Sequence, residues 1–131
     1  MILVKTKLGK SSKHGTGLFA DQFIPKDTVT WEYHPLFDSS FTEEELLQMS
    51  EPARKQFLHY AYFDKNLNKH VLCFDDQRFI NHEFVGANIH STTRKDTAVR
   101  DIQKGEELLC NYNNFDDTYF PRMKIKELDL I

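Results

Sequence analysis

Two short segments constrain this chain more than anything in its bulk. Arg78-Phe79-Ile80-Asn81-His82 sets an Asn-His pair behind an apolar lead-in, and Glu107-Leu108-Leu109-Cys110-Asn111-Tyr112 reads as a strand ending in a tyrosine. Upstream of both stands Gly15-Thr16-Gly17-Leu18-Phe19-Ala20. Glycine there would let the backbone approach a ligand closely and adopt positive φ. Alone, a Gly-x-Gly or an Asn-His is usually just a turn. Their order and separation give the three segments weight together.

The remaining sequence is that of a folded, β-rich globule. At 131 residues the chain holds one modest core, so a single domain over 1–131 is expected. A hydrophobic fraction of 40% and an aromatic fraction of 13% argue against disorder. A net charge of −3 argues against a molecule that binds nucleic acid through its overall field. The one basic cluster, Lys5, Lys7, Lys10, Lys13 and His14, reads as a solvated edge strand and loop, with an acidic docking partner as the alternative.

Cys73 and Cys110 are too few for a disulfide framework or a zinc site, and each lies in an expected strand, where a small buried thiol is the default. Residues 1–4 are too short for a signal peptide, and no apolar run approaches a membrane span. The chain therefore reads as soluble and intracellular, with neither membrane nor nucleic acid as a direct partner.

Local patterns predict a strand over 2–7, a polar turn over 9–14, a turn over 24–27 and a strand over 28–33. Thr42 and Glu45 match a capping box that opens a short helix through Leu46 and Leu47. Ser50-Glu51-Pro52 opens a second, with Ala53, Phe57, Leu58 and Ala61 at helical spacing. Strand character returns over 70–74, and 84–91 reads as irregular. Residues 97–100 and 107–112 read as strands around a turn at 103–106, and 117–128 as a short helix that packs back.

This organisation resembles, nearly end to end, the SET domain, the fold of most protein lysine methyltransferases. The resemblance implies a mainly β, β-clip fold with a helical insert at about 42–62. It also implies a C-terminal segment threaded under a surface loop as a pseudoknot, an exception to simple connections, and a lid at about 113–131. Residues 15–20 are similar to the family's first motif, and Asn81-His82 to its Asn-His pair. By that likeness Gly15, Thr16, Gly17, Leu18, Arg78, Phe79, Asn81 and His82 bind S-adenosylmethionine, with no metal. Residues 107–112 are similar to the family's Glu-Leu-x-x-Asp-Tyr, which makes Tyr112 the central catalytic residue. Tyr62-Phe63 resembles the aromatic step that walls the lysine channel, with Tyr60 as a close alternative to Tyr62.

The chain departs from the pattern at three places. Glu83 stands where a serine usually follows the His, Ala87-Asn88 replaces a Pro-Asn one residue earlier, and Asn111 replaces an aspartate. Zinc-binding cysteines that close the site in many relatives are absent from this tail, and Phe115, Tyr119 and Phe120 are expected to replace them by packing. Trp31 and Tyr33 read as core or groove wall.

The activity implied is methyl transfer from S-adenosylmethionine to a lysine of a protein or peptide, with S-adenosylhomocysteine as product. A second copy of the chain could complete the groove. Glu83 and Asn111 keep open a second reading, a weak or inactive SET-like domain that binds a cofactor or protein. Metal hydrolysis finds little support: four residues after His82 comes Gly86, not a second His. Nor is there a Gly-x-Ser-x-Gly elbow for nucleophilic hydrolysis.

Overall fold

Strands in this molecule are short, and their partners decide where they begin and end. The computed structural model describes residues 1–123. β1 (Thr6–Lys10) and β2 (Thr16–Ala20) form an antiparallel hairpin in which Lys10 faces Thr16 across the 11–15 loop. The first strand thus lies later than the expected 2–7, and Gly9, read as a turn, is inside it. Pairing explains the shift: Gly9 sits opposite Gly17, and a Cβ at Gly9 would come 3.0 Å from the Phe19 ring. The glycine makes room for an aromatic instead of turning the chain. Ile2 keeps only an isolated bridge to Trp31 in β3 (Val29–Glu32).

The middle of the chain is the helical insert. β4 (Ser39–Phe41) leads to α1 (Glu43–Leu47) and α2 (Glu51–Tyr60), followed by β5 (Tyr62–Asp64) and β6 (Lys69–Leu72). The capping box forms as expected: the Thr42 hydroxyl accepts the Glu45 N–H at 3.2 Å, and Glu45 accepts the Thr42 N–H at 3.0 Å. Ser50 caps α2 and Pro52 sits in its first turn. Leu46, Phe57 and Ala61 pack together beneath the insert. Ala53 is exposed, because the buried face is confined to the later turns of α2. The helix ends at Tyr60, and Ala61 is already extended at ψ 149°. The insert therefore stops two residues earlier than expected, and Tyr62 belongs to a strand. β4, β6 and β5 pair in that order, with Cys73 just past the end of β6 and buried.

A 3-10 turn (Asp76–Phe79), capped by Asp75, feeds β7 (Asn81–His82). Then follow β8 (Ile89–Ser91), β9 (Lys95–Ala98) and β10 (Leu109–Cys110). The central sheet runs β3-β9-β8-β10-β7. β8 lies in the stretch read as irregular; its Ile89 and Ser91 point inward while His90 is exposed.

β9 and β10 are not a hairpin, although the turn between them suggested one. The chain from Ile102 to Leu108 spends its hydrogen bonds elsewhere. Ile102 pairs with Ile24, the Gly105 N–H donates to the Ala20 carbonyl, and the Leu108 N–H donates to the Leu18 carbonyl. Those bonds carry β10 across the molecule, where it inserts between β7 and β8 and runs parallel to both. The 83–88 loop joins β7 to β8 across this inserted strand, which is the expected pseudoknot. Leu18, Ile24, Ile89, Ile102 and Leu108 are fully buried and lock the crossing. Each such side chain stabilises the fold by about 1.5–3 kcal/mol through burial.

Only Leu109 and Cys110 of the 107–112 segment join the ladder. Tyr112 instead starts a 3-10 turn (Tyr112–Asn114), in which the Asn111 side chain accepts the Asn113 N–H at 3.0 Å. α3 (Tyr119–Met123) then packs back; residues 124–128 of the expected tail helix lie outside the described residues. No helix among the described residues is long and apolar enough to cross a membrane.

Candidate active site

Parallel pairing of β10 with β7 sets Leu109 opposite Asn81 and Cys110 opposite His82, so the two segments meet in space. They border a cavity of about 420 Å³, within the range of small-molecule sites. His14, Gly15 and Thr16 form one side, and Arg78, Phe79, Asn81 and His82 the next. Tyr60, Tyr62 and Tyr112 close a third.

The glycine loop has a defined shape. The Ser11 hydroxyl accepts the N–H groups of Lys13 and His14, and the Ser11 N–H donates to the Gly15 carbonyl at 2.8 Å. Gly15 is held at φ 51°, where a side chain is disfavoured, and open space lies above it. The Asn81 amide ties this loop to β7 by donating to the carbonyls of His14 at 2.8 Å and Thr16 at 3.1 Å.

Gly17 and Leu18, expected beside the cofactor, stand apart from the cavity. A Cβ on Gly17 would come 2.5 Å from the Glu107 carboxylate, and Leu18 is a core residue at 0% exposure. Gly17 is small so that Glu107 can reach across to the Ser11 hydroxyl at 2.6 Å. The motif's two glycines thus answer to different demands, one conformational and one steric.

Glu83 does not project freely into solvent. Its carboxylate meets Lys13 Nζ at 2.5 Å, joining the glycine loop to the residue after His82. Asn88 closes the other end of the same loop: it donates to the Glu107 carbonyl and accepts the Leu109 N–H, each at 2.8 Å. That amide holds the threaded strand in place.

Tyr112 is partly buried and borders the cavity, with its polar groups tied back into the protein. Its hydroxyl donates to the Ile80 carbonyl, its N–H donates to His82 Nδ1 at 3.0 Å, and its ring stacks on Phe120. Desolvation by burial drives its pKa well above the ordinary phenol value, so the hydroxyl stays protonated. Tyr62 is 8% exposed, packs edge-on to Trp31 and Phe115, and donates to the Thr93 carbonyl at 2.9 Å. Burial raises its pKa as well. Tyr60 lies nearer the surface at 40% exposure, against Phe79. The strand position of Tyr62 therefore makes it the inner wall and Tyr60 the outer one.

Phe115, Tyr119 and Phe120 all border the cavity. They are fixed by Arg122, whose guanidinium bonds to the Asp116 carboxylate at 3.3 and 3.4 Å and to the Ala61 carbonyl at 3.1 Å. Asp116 also accepts the Phe63 N–H at 2.9 Å. This clasp pins the C-terminal segment to β5. No group of three His, Cys, Asp or Glu among the described residues is arranged to hold a metal ion.

Sequence reasoning missed the inner wall. Gln77, Ser91 and Asp96 border the same cavity and are each under 10% exposed; Trp31, read as core or groove wall, stands beside them. No local pattern marks those three, since they come from three separate elements.

The SET-domain family model matches residues 15–113. The chain belongs to the SET-domain family. Solved SET structures share its fold. A Plasmodium falciparum candidate histone methyltransferase matches at 23% identity and TM-score 0.61, over 85% of this chain and 95% of that one. A humanized mutant of the Chaetomium thermophilum Polycomb Repressive Complex 2, bound to an inhibitor, matches at 25% identity and TM-score 0.65. A ctPRC2 structure bound to S-adenosylmethionine matches at 24% and 0.65. The SET chain covers 93% and 92% of itself in those two matches but only 17% and 16% of the larger chains. No curated protein sequence matches it.

Proposed function

We propose that this SET domain transfers a methyl group from S-adenosylmethionine to a lysine amine of a protein. The observation that carries this is the joining of β7 and β10, which puts Tyr112, Asn81 and the 14–16 loop around one cavity. The ctPRC2 relative bound to S-adenosylmethionine supports the choice of cofactor. The lining fits such a group: the Asn81 amide holds the 14–16 loop in shape, and the open space above Gly15 leaves room for a zwitterionic head to approach the backbone. Gly15, Thr16, Arg78, Phe79, Asn81 and His82 would hold it, and it would supply an electrophilic methyl on a sulfonium.

The chain's own residues position and desolvate. An in-line displacement needs the amine and the methyl held in contact, which an enclosed aromatic channel provides. Tyr112 keeps its proton, and its oxygen orients the amine and accepts weak C–H contacts. Tyr62 spends its proton on Thr93 and presents a ring that limits the channel's width. The apolar walls lower the pKa of an entering ammonium, which must lose a proton before it can attack. The single domain over 1–131, the helical insert as one wall of a peptide groove and the C-terminal lid belong to this reading.

Asn111 caps its turn through the side-chain oxygen, as an aspartate would, so its replacement leaves the Tyr112 backbone supported. That favours a catalyst over an inert binding module. The test is mass spectrometry of cell extract treated with cofactor and either wild-type protein or Tyr112→Phe. A lysine mark that the variant loses supports the reading and names the substrate. Equal marking by both removes Tyr112 from the mechanism, and no mark from either removes the activity.

A further inference from the structure

The cavity does not end at the tyrosines. Its inner wall holds a carboxylate that the mechanism above leaves idle. Strand register assembles the surroundings: Asp96 in β9 faces Trp31 across one ladder and Ser91 across the other, so all three lie in one row. Gln77 reaches in from its 3-10 turn and donates to Asp96 at 2.5 Å. Asp96, Trp31 and Ser91 are each 2% exposed. The Trp31 indole N–H has no partner in the protein, although it is buried and borders the cavity. A buried donor beside a buried carboxylate, on the wall of a cavity, is the setting of an ordered water.

We infer that Asp96 is the proton acceptor for the substrate ammonium, reached through water held between the Trp31 N–H, Ser91 and the carboxylate. The inference rests on the methyl-transfer reading and supplies the step that reading lacks. One N–H bond of the ammonium breaks, and the proton passes along the water to form an O–H bond on Asp96. The freed lone pair attacks the methyl carbon; the C–N bond forms, the C–S bond breaks, and its electron pair stays on sulfur. When product leaves, the carboxyl returns its proton to solvent.

The electrostatics agree. Burial pushes the Asp96 pKa up to about 7, with Ser91, Gln77 and the Met1 ammonium pulling it back. The thiols of Cys73 and Cys110 also face it, and burial together with this carboxylate keeps both protonated. An acceptor poised near neutrality is what general-base work requires.

The experiment compares wild-type protein, Asp96→Asn and Trp31→Phe. Methyl transfer is followed from pH 6 to about 10.5, where lysine amines deprotonate unaided. The acceptor is core histones or, where these are unmarked, the protein named by the extract experiment. Asp96→Asn should slow transfer by about a hundredfold at neutral pH, with the gap closing at the alkaline end. Trp31→Phe should give a smaller loss over the same range. Unaltered cofactor affinity by calorimetry certifies the fold of each variant.

A second readout needs no turnover. The Asp96 carboxyl carbon should titrate near neutrality by NMR, and S-adenosylhomocysteine with a lysine peptide should lower its midpoint. Wild type and Asp96→Asn sharing one pH profile, or a midpoint indifferent to the peptide, would overturn the inference and leave methyl transfer standing. An inactive wild type overturns both.

Discussion

The Tyr112 ring lies parallel to that of Phe120, with centroids 5.9 Å apart and 18° between the planes. The Phe120 ring also packs against His82 at 4.8 Å, so one residue of α3 touches both signature segments. We propose that this aromatic contact closes the site in place of the zinc-binding cysteines expected from the family resemblance.

Phe120→Ala should therefore lower stability by about 3 kcal/mol through cavity formation. It should also weaken cofactor binding at least tenfold, read by calorimetry at a temperature where the variant is folded. Truncation before Tyr119 should do the same to binding. Unchanged affinity in both would mean that α3 merely covers the domain.

The clasp beneath this lid is testable by itself. Arg122→Ala leaves the buried Asp116 carboxylate without its cation and should cost about 3 kcal/mol by denaturant unfolding. Arg122→Lys restores the charge but cannot reach Asp116 and the Ala61 carbonyl together, so only part of the loss should return. Full recovery would assign the clasp to charge alone.

Gly17→Ala separates the two glycines. The added Cβ meets Glu107 and, at 3.0 Å, the Ser11 Cβ, so the Ser11–Glu107–Asn81 contacts must shift. A loss of about 1–3 kcal/mol is expected by thermal melting. Gly15→Ala meets nothing and should pay only for its backbone conformation.

Asp96 also dictates a pH dependence of stability. Its folded pKa, about 7, lies above the unfolded carboxylate value, so the native state binds the extra proton between them. That contribution is complete in acid and is lost as pH rises toward 7. Asp96→Asn should accordingly melt higher than wild type at pH 8, with the difference shrinking as pH falls toward 4. A pH-independent difference would mean that the carboxyl titrates normally.

Local chemistry made much of this legible. The capping box at Thr42 and Glu45, the proline opening of α2 and the β-rich residues of β3 depend on neighbours in sequence, and they formed where the sequence placed them. The three signature segments named the family and most of the cavity's outer side for the same reason. The 103–106 turn formed, but its flanks pair with Ile24 and Leu18 instead of with each other, and Gly9 and Gly17 misled because glycine serves turns and close packing alike. Only the residue that arrives opposite, Phe19 or Glu107, tells which.

By itself, then, the sequence determined a small, mainly β SET domain and its helical insert. Tertiary structure alone decided that β10 threads between β7 and β8, that Tyr62 stands inside Tyr60, and that Asp96, Ser91 and Trp31 form one row. Those are matters of strand register and crossing. They are fixed by hydrogen bonds between residues far apart in the chain, and no local pattern encodes which distant strand a segment will pair with.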